Sequence, residues 1–342
     1  MEVIEHEGQK DDEAEGPRRE GQVGKRARRK LPPPPPTTWE PSQLFPLRAP
    51  RPKHINHFGI SGGKDSTALL LWALFESGYP RESLDITFCD TGNESPITYR
   101  YVAYLEAFLQ IGITRIHPGL KFFELAARKR RFPSAKARFC TYALKIKPTI
   151  DYINATFREG HTMTLHSGVR AAESDTRAKL LDREYDGNFL CEVVRPLLRL
   201  SVSDVWAMHE KYGIRPNPLY AMGMLRVGCF PCVMSRKSEI KNIAAKFPEA
   251  IDHIRERERI SGRPAANGFS SFYGPNAIPA RFHSRVYRRA KDGKEFSVAT
   301  IDDVVRWSKT GKGAIEDNTM DLFAFDEAPA EKVSGCQSGF CE

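Results

Sequence analysis

An α/β fold, doubly wound around a mainly parallel sheet and extended by a helical, cysteine-containing C-terminal region, is what this sequence predicts. Two observations carry the prediction. Extended apolar segments recur at His54 to Ile60, Leu84 to Asp90, Ile113 to His117 and Thr162 to Ser167, with helical patterns between them. That alternation implies βαβ crossovers and a sheet covered on both faces. In addition, three chemically distinctive segments, 61–66, 90–92 and 168–170, each fall where an extended segment ends. Ligands of such sheets bind at the carboxyl ends of the strands, so the three point to one rim.

The first extended segment runs into Ser61-Gly62-Gly63-Lys64-Asp65-Ser66, and a helix is predicted over Asp65 to Gly78. Two glycines let the backbone approach a ligand closely, and the first amides of the following helix face outward with the positive end of its dipole behind them. Ser61 and Ser66 add hydroxyl donors, Lys64 adds a mobile charge, and Asp65 has a carboxylate suited to capping the helix or helping to hold Mg²⁺. The G-x-x-x-x-G-K-[ST] spacing of a Walker loop is absent.

The second extended segment ends at Asp90-Thr91-Gly92, where a terminal carboxylate can bind Mg²⁺ or orient an attacking group; Cys89 before it is expected to be a buried, small apolar side chain. Helices follow at Pro96 to Ile111, Phe122 to Lys129 and Leu144 to Arg158. After the fourth extended segment comes Gly168-Val169-Arg170-Ala171-Ala172-Glu173-Ser174 with Arg177. Arg170 and Arg177 offer permanently charged, bidentate donors for a phosphate or an anionic substrate, and Glu173 is placed to orient Arg170.

Beyond Arg195-Pro196-Leu197 the pattern changes. Ser201 caps a helix with Asp204 in its first turn, reaching about Lys211. A turn at Arg215-Pro216-Asn217-Pro218 leads to a knuckle at Gly228-Cys229-Phe230-Pro231-Cys232. A charged helix over Ser238 to Ile260 follows, with a break at Pro248, then a basic region holding Arg281, Arg285, Arg288, Arg289 and Lys291, and a short helix from Ile301 to Lys309. The boundaries read as a charged, Pro-rich disordered arm over 1–50, a nucleotide domain over 51–235, a helical and basic accessory region over 236–325, and a flexible tail with cysteines over 326–342.

These segments resemble a known family. The loop at 61–66 is similar to the PP-loop of the ATP pyrophosphatase superfamily, whose members split ATP between the α and β phosphates, and within it the chain resembles the phosphoadenosine phosphosulfate (PAPS) reductase family over about residues 54–235. Asp90-Thr91-Gly92-Asn93-Glu94 with Pro96, Thr98 and Tyr99 matches the family's D-T-G-x-E-x-P-x-T-Y segment, and residues 168–177 match its G-x-R-x-x-E-S-x-x-R segment. The resemblance implies an adenine nucleotide alpha hydrolase-like fold, with ATP and Mg²⁺ as cofactors. It places Ser61, Gly62, Gly63, Lys64, Asp65, Ser66, Asp90, Thr91, Gly92, Gly168, Arg170 and Arg177 around the nucleotide.

Cys140, ahead of Lys145, Lys147 and Pro148, together with Cys229-x-x-Cys232, resembles the layout of family members carrying a [4Fe–4S] cluster; sulfur ligation by itself also fits zinc. Cluster-bearing reductases show adjacent cysteines at the first position, whereas Thr141 follows Cys140 here. A fourth ligand is therefore sought in Cys336, Cys341 or Cys191, with Cys336 preferred and Cys341 left as a reactive thiol. The reductases' C-terminal Glu-Cys-Gly-Leu-His type motif is also missing, while the phosphate loop is intact. Both departures favour ATP-dependent activation.

The expected activity is therefore ATP cleavage to AMP and pyrophosphate by Lys64, Asp65, Asp90 and Arg170, adenylating an acceptor for sulfur transfer, with Cys341 reactive. The acceptor is read as a nucleic acid because of the basic runs at 25–30 and 281–291, and the sulfur donor as one such as a cysteine desulfurase. A thiol-dependent reductase of PAPS or adenosine phosphosulfate, using Cys336 or Cys341 with a thioredoxin-like reductant, is the alternative enzyme. A non-catalytic nucleotide- or nucleic-acid-binding module is the alternative outside enzymology. Seven cysteines in 342 residues argue for metal or redox chemistry rather than a disulfide framework. With no apolar run near ~20 residues and an acidic first segment, neither a membrane span nor a secretory signal is expected, and the cytoplasm is the expected location.

Overall fold

The computed structural model of the chain describes residues 54–157, 161–262, 269–274, 277–288 and 292–311. The 1–50 arm with its Lys25 to Lys30 run, and the tail with Cys336 and Cys341, lie outside the described residues.

Six strands form one sheet: β1 (His54–Ile60), β2 (Leu84–Cys89), β3 (Thr114–Ile116), β4 (Thr162–His166), β5 (Arg183–Asp186) and β6 (Cys191–Val194), in the order β3-β2-β1-β4-β6-β5. Every neighbouring pair is parallel except β5 with β6. The mainly parallel, doubly wound α/β expectation holds. Central β1 is buried on both faces, with Phe58 on one side and Asn56 and His57 among its buried residues, as a helix-covered sheet requires. The chain moves outward from β1 through β2 to β3, then returns to place β4 on the other flank of β1. That reversal opens a crevice at the carboxyl ends of β1 and β4, where such folds bind ligands.

Helix α1 (Lys64–Phe75) and α2 (Pro96–Leu109) pack Leu69, Leu70, Leu71, Tyr101, Val102 and Leu105 into one core, to which α7 (Val202–Lys211) adds Val205 and Met208. Each fully buried leucine contributes about 2 kcal/mol of transfer free energy, so this core fixes α1, and with it the loop at its start. Helix α2 begins at Pro96 behind Ser95, whose side chain accepts from the Ile97 amide. Helix α3 (Phe122–Lys129) follows β3.

The helix expected from Leu144 starts earlier. A turn of α4 (Phe139–Thr141) passes through a π segment, Tyr142–Ile146, into α5 (Lys147–Thr156). Pro148 has no amide to give the carbonyl four residues back, and its ring crowds that carbonyl, so the wider π turn ahead of it relieves both problems. The short α6 (Asp175–Ala178) and α8 (Pro218–Ala221) lie on either side of α7 in sequence.

The break at Pro248 separates α9 (Lys237–Lys246) from α10 (Pro248–Gly262), and α11 spans Ile301–Ser308 behind a Thr300 cap. The basic region between them is an antiparallel ribbon, β7 (Arg285–Arg288) with β8 (Glu295–Val298), which sequence reading left without structure. Ile251, Ile254, Phe272 and Ile301 from this half share an apolar cluster with Phe122 and Phe123 of α3. No helix among the described residues is long and apolar enough to cross a membrane.

Candidate active site

The loop at 61–66 joins β1 to α1, with Gly63 in the cap position and Lys64 as the first helical residue. Gly62 has φ +77°, and a Cβ there would lie 3.1 Å from Cγ2 of Thr98, so both backbone conformation and the approach of α2 require glycine. The serines brace the loop: Oγ of Ser66 accepts from the Ser61 amide at 3.2 Å and donates to the Gly63 carbonyl at 3.0 Å.

The segment 209–220 holds the loop from outside. Asn217 donates to the Gly62 carbonyl at 3.1 Å, Nε2 of His209 to the Lys64 carbonyl at 2.9 Å, and the Lys64 amide donates to the Tyr220 hydroxyl at 2.8 Å. None of these three was singled out from sequence. Pro218 after Asn217 and the capped α7 were the visible signals, but nothing local ties them to a loop about 150 residues away.

Asp65 neither caps α1 nor presents free oxygens to a cation. Its carboxylate takes Nζ of Lys64 at 2.7 Å and Nε of Arg170 at 2.5 Å, and the helix has no side-chain cap. Burial works against the Asp65 charge, but Lys64 and Arg170 outweigh it and hold the carboxyl below its ordinary range. Arg170 is buried, and its Nη1 has no partner among the described residues. Gly168 lets this segment reach α1, since a Cβ there would stand 3.3 Å from the Asp65 carbonyl oxygen. Glu173 does not orient the Arg170 guanidinium. It accepts from the Arg170 amide at 2.9 Å and pairs with the Arg177 side chain.

At the end of β2, Oδ1 of Asp90 accepts from the Gly92 amide at 3.0 Å and the Tyr99 hydroxyl at 2.5 Å, while Oδ2 lies 3.4 Å from Nδ1 of His117. Gly92 is left-handed at φ +70°. Thr91 is buried and donates to Oε1 of Glu94 at 2.6 Å. Burial raises the Glu94 carboxyl above its ordinary value.

This segment is stitched to the cysteine knuckle. The Phe230 amide donates to the Asn93 carbonyl at 2.5 Å, Asn93 donates to the Pro231 carbonyl at 3.0 Å, and Sγ of Cys229 lies 4.0 Å from Glu94. Ser61, Ser66, Glu94, Lys145, Gly168 and Gly228 line one pocket, so the phosphate loop and the knuckle share a space.

Lys145 projects from the π segment into that space. Burial disfavours its ammonium, yet Cys229, Glu94, Cys89 and Cys232 around it hold its pKa above the ordinary lysine value. Burial pushes the Cys140 thiol up and Cys229 to about 12. Cys89 is not simply packed among apolar groups: its thiol lies 3.3 Å from the Thr149 hydroxyl and 3.8 Å from the Lys145 carbonyl. Cys191 is not part of this group, because it is buried with Leu165, Phe189 and Val193 in a separate cluster. The fit to a metal is incomplete: among the described residues no three His, Cys, Asp or Glu side chains converge to hold an ion. Cys140, Cys229 and Cys232 gather near one lysine, short of a ligand shell for a [4Fe–4S] cluster or zinc, and Cys336, the preferred fourth ligand, lies outside the described residues.

Residues 56–235 match the family described as the phosphoadenosine phosphosulfate reductase domain. An uncharacterized 37.8 kDa protein of Escherichia phage 186 is 32% identical to this chain over 338 residues, spanning 84% of this chain and 97% of the phage protein. An adenosine 5'-phosphosulfate reductase of Salinibacter ruber is 24% identical over 153 residues, 44% of this chain and 58% of that enzyme. The crystal structure of a phosphoadenylyl-sulfate reductase from Candida auris, in a phosphate complex, superposes with a TM-score of 0.39 at 16% identity, covering 52% of this chain and 82% of that one.

Proposed function

The chain belongs to the phosphoadenosine phosphosulfate reductase family, and from that premise we propose that it cleaves ATP to AMP and pyrophosphate, adenylating an acceptor for sulfur transfer. The observation that carries this reading is the complete Ser61 to Ser66 loop with the buried Arg170 guanidinium locked against it through Asp65. Arg170 keeps an unspent donor on Nη1 beside the loop. A phosphate oxygen satisfies such a donor, and a buried guanidinium gains more from the contact than an exposed one.

In the proposed reaction Ser61, Gly62, Gly63, Lys64 and Ser66 hold the β and γ phosphates, and Arg170 faces the α-phosphate. An acceptor oxygen attacks the α-phosphorus, the bond to the bridging oxygen breaks, and pyrophosphate leaves with the electron pair into the loop amides and the Lys64 ammonium. The terminal sulfur of a persulfide on a donor such as a cysteine desulfurase then attacks the activated centre, and a thiol reductant afterwards cleaves its S–S bond to the donor cysteine. A bond to sulfur forms, and AMP leaves with the former acceptor oxygen. Mg²⁺, when bound, neutralises charge on the phosphates. Asp65 is committed to Lys64 and Arg170, which leaves Asp90 as the rim carboxylate suited to assist it. Thr91, Gly92, Gly168 and Arg177 complete the surround of the nucleotide.

Incubation with α-labelled ATP, Mg²⁺ and sulfide as the sulfur nucleophile, with and without nucleic acid, tests the reading by separating AMP from ADP. AMP with stoichiometric pyrophosphate is expected. ADP as product, or nucleotide bound without turnover under every condition, defeats it, and sulfite released from labelled PAPS selects the reductase instead.

A further inference from the structure

We propose that the β7–β8 ribbon is a grip for duplex DNA, which presents the acceptor to the site above. The identity of the acceptor rests on the proposed function; the binding of DNA does not.

The described residues of 281–298 carry four cations, Arg281, Arg285, Arg288 and Lys294, against two acids, Asp292 and Glu295. None of the four enters a salt bridge among the described residues, although Arg side chains elsewhere in the chain regularly do. The guanidiniums of Arg281 and Arg285 lie over the rings of Phe282 and Phe269, at 5.0 and 5.9 Å, which restrains them without using their donors.

The ribbon is rooted firmly and buries little beyond its root. Asp303, 1% exposed, accepts from the Ser284 amide at 3.0 Å, the Ser284 hydroxyl at 2.8 Å and the Thr300 amide at 2.9 Å, pinning the foot of each strand with one carboxylate. Ala299 is buried against Ile240, Ile278 and Val304. Above that root Arg285, Val286, Arg288, Glu295, Phe296 and Ser297 are all exposed. A two-stranded ribbon is marginal by itself in water. Here a buried carboxylate is committed to holding one that buries Val298 at its root and is otherwise exposed on most of its length.

A ribbon of two strands is narrow enough to enter the major groove of B-form DNA, and unpaired cations on it meet phosphates along both walls. The register sets Val286 beside Ser297, an apolar and a polar group of the kind that meets base edges, and Arg288 beside Glu295 farther along the same face, where the guanidinium meets a phosphate. Duplex RNA has a major groove too narrow for it, and a single strand calls for a row of stacking aromatics in place of alternating cations.

Fluorescence anisotropy of the full chain with a labelled 20-base-pair DNA duplex, read at several salt concentrations, tests the proposal. The wild type is expected to bind with an affinity that falls steeply with salt. Arg285→Glu/Arg288→Glu is expected to lose roughly tenfold or more in affinity and to flatten the log–log salt slope by about 2, one unit for each lost phosphate contact. Arg285→Lys/Arg288→Lys should keep most of the slope, and an unchanged unfolding midpoint in both variants excludes misfolding. Unchanged duplex binding in the charge-reversed variant overturns the proposal. So does a loss that follows neutralisation of Lys25 to Lys30 alone, or equal affinity for duplex RNA or single-stranded DNA. AMP formation without nucleic acid, with water attacking in place of the acceptor, should be the same in wild type and variant. If duplex binding depends on the ribbon while no AMP forms, the ribbon's role stands and the proposed reaction falls.

Discussion

Arg170 and Asp65 are the most consequential pair of single residues. Both are buried, and each needs the other because an unpaired ion in that position has no solvent to replace its partner. Arg170→Met removes the guanidinium and leaves Asp65 with Lys64 alone. The expected cost is about 3 kcal/mol of stability, the lower end for breaking a buried pair, because Lys64 retains its contact. A larger proportional effect is expected on the reaction: kcat/KM for ATP cleavage should fall by roughly 10²- to 10³-fold, as for loss of one preorganised donor to developing charge. Urea unfolding and AMP release measure the two separately. If AMP release is unchanged while stability falls, the pair is structural and Arg170 has no place at the α-phosphate. The pairing was half legible in the sequence. Both residues stood out as site candidates, since loop glycines and strand-end arginines mark themselves locally. Their bond to each other across 105 positions was not legible, and Glu173, three residues from Arg170, was the misleading nearer choice.

Among the elements, the connection between the loop and the α7–α8 segment changes how the anion site is understood. Amides at the start of α1 are the donors an anion would use, and that of Lys64 is already satisfied by Tyr220 at 2.8 Å. Tyr220→Phe strips this amide of its acceptor. In the free protein that is expected to cost about 1–3 kcal/mol, the penalty for leaving a donor unmatched. Pyrophosphate supplies an acceptor at the same place, so it should recover part of the loss. The expected outcome is a lower unfolding temperature for the variant and a larger upward shift on adding pyrophosphate than in wild type; an equal or smaller shift would show that this amide does not face the phosphates. Of the five strands in parallel pairs, β1 to β4 were legible to within about one residue, because strands buried on both faces read as apolar runs, whereas β6, four residues long and fully buried only at alternate positions, was not. Strand β5 was not, since Arg183, Glu184, Tyr185 and Asp186 carry no apolar pattern and pair only at the sheet edge. The ribbon β7–β8 escaped for the same reason: exposed on most of its length, it has no buried face to print a period on the sequence.

At the scale of the whole molecule, two buried titrating groups in different halves report whether those halves fold together. His166, in β4, stacks on Phe58 at 4.3 Å and lies 3.0 Å from Oδ1 of Asn56, and burial lowers its pKa from 6.5 to about 3. The unfolded chain therefore binds the extra proton between those values, so its contribution is complete above pH 6.5 and is lost as pH falls towards 3. Glu258, in α10, accepts from the amides of Phe272 and Ile301, and burial raises its pKa from 4.5 to about 7. Here the folded chain holds the proton, so the contribution is complete below pH 4.5 and is lost as pH rises through about 7. Between about pH 4.5 and 6.5 the two slopes are opposite, each at most about 1.4 kcal/mol per pH unit, and they offset each other. If α3 and the 236–311 half share one cooperative core, as the packing of Phe122 and Phe123 on Ile251, Ile254 and Phe272 requires, both groups act on the same transition. His166→Gln should then convert the plateau into a decline with rising pH, and Glu258→Gln into a rise, in a single unfolding step followed equally by Trp72 and Trp307 fluorescence. The readout is the slope, which survives any constant loss from the altered hydrogen bonds. Two separated steps, with Glu258→Gln moving only one, would show instead that the ribbon-bearing half melts independently of the sheet.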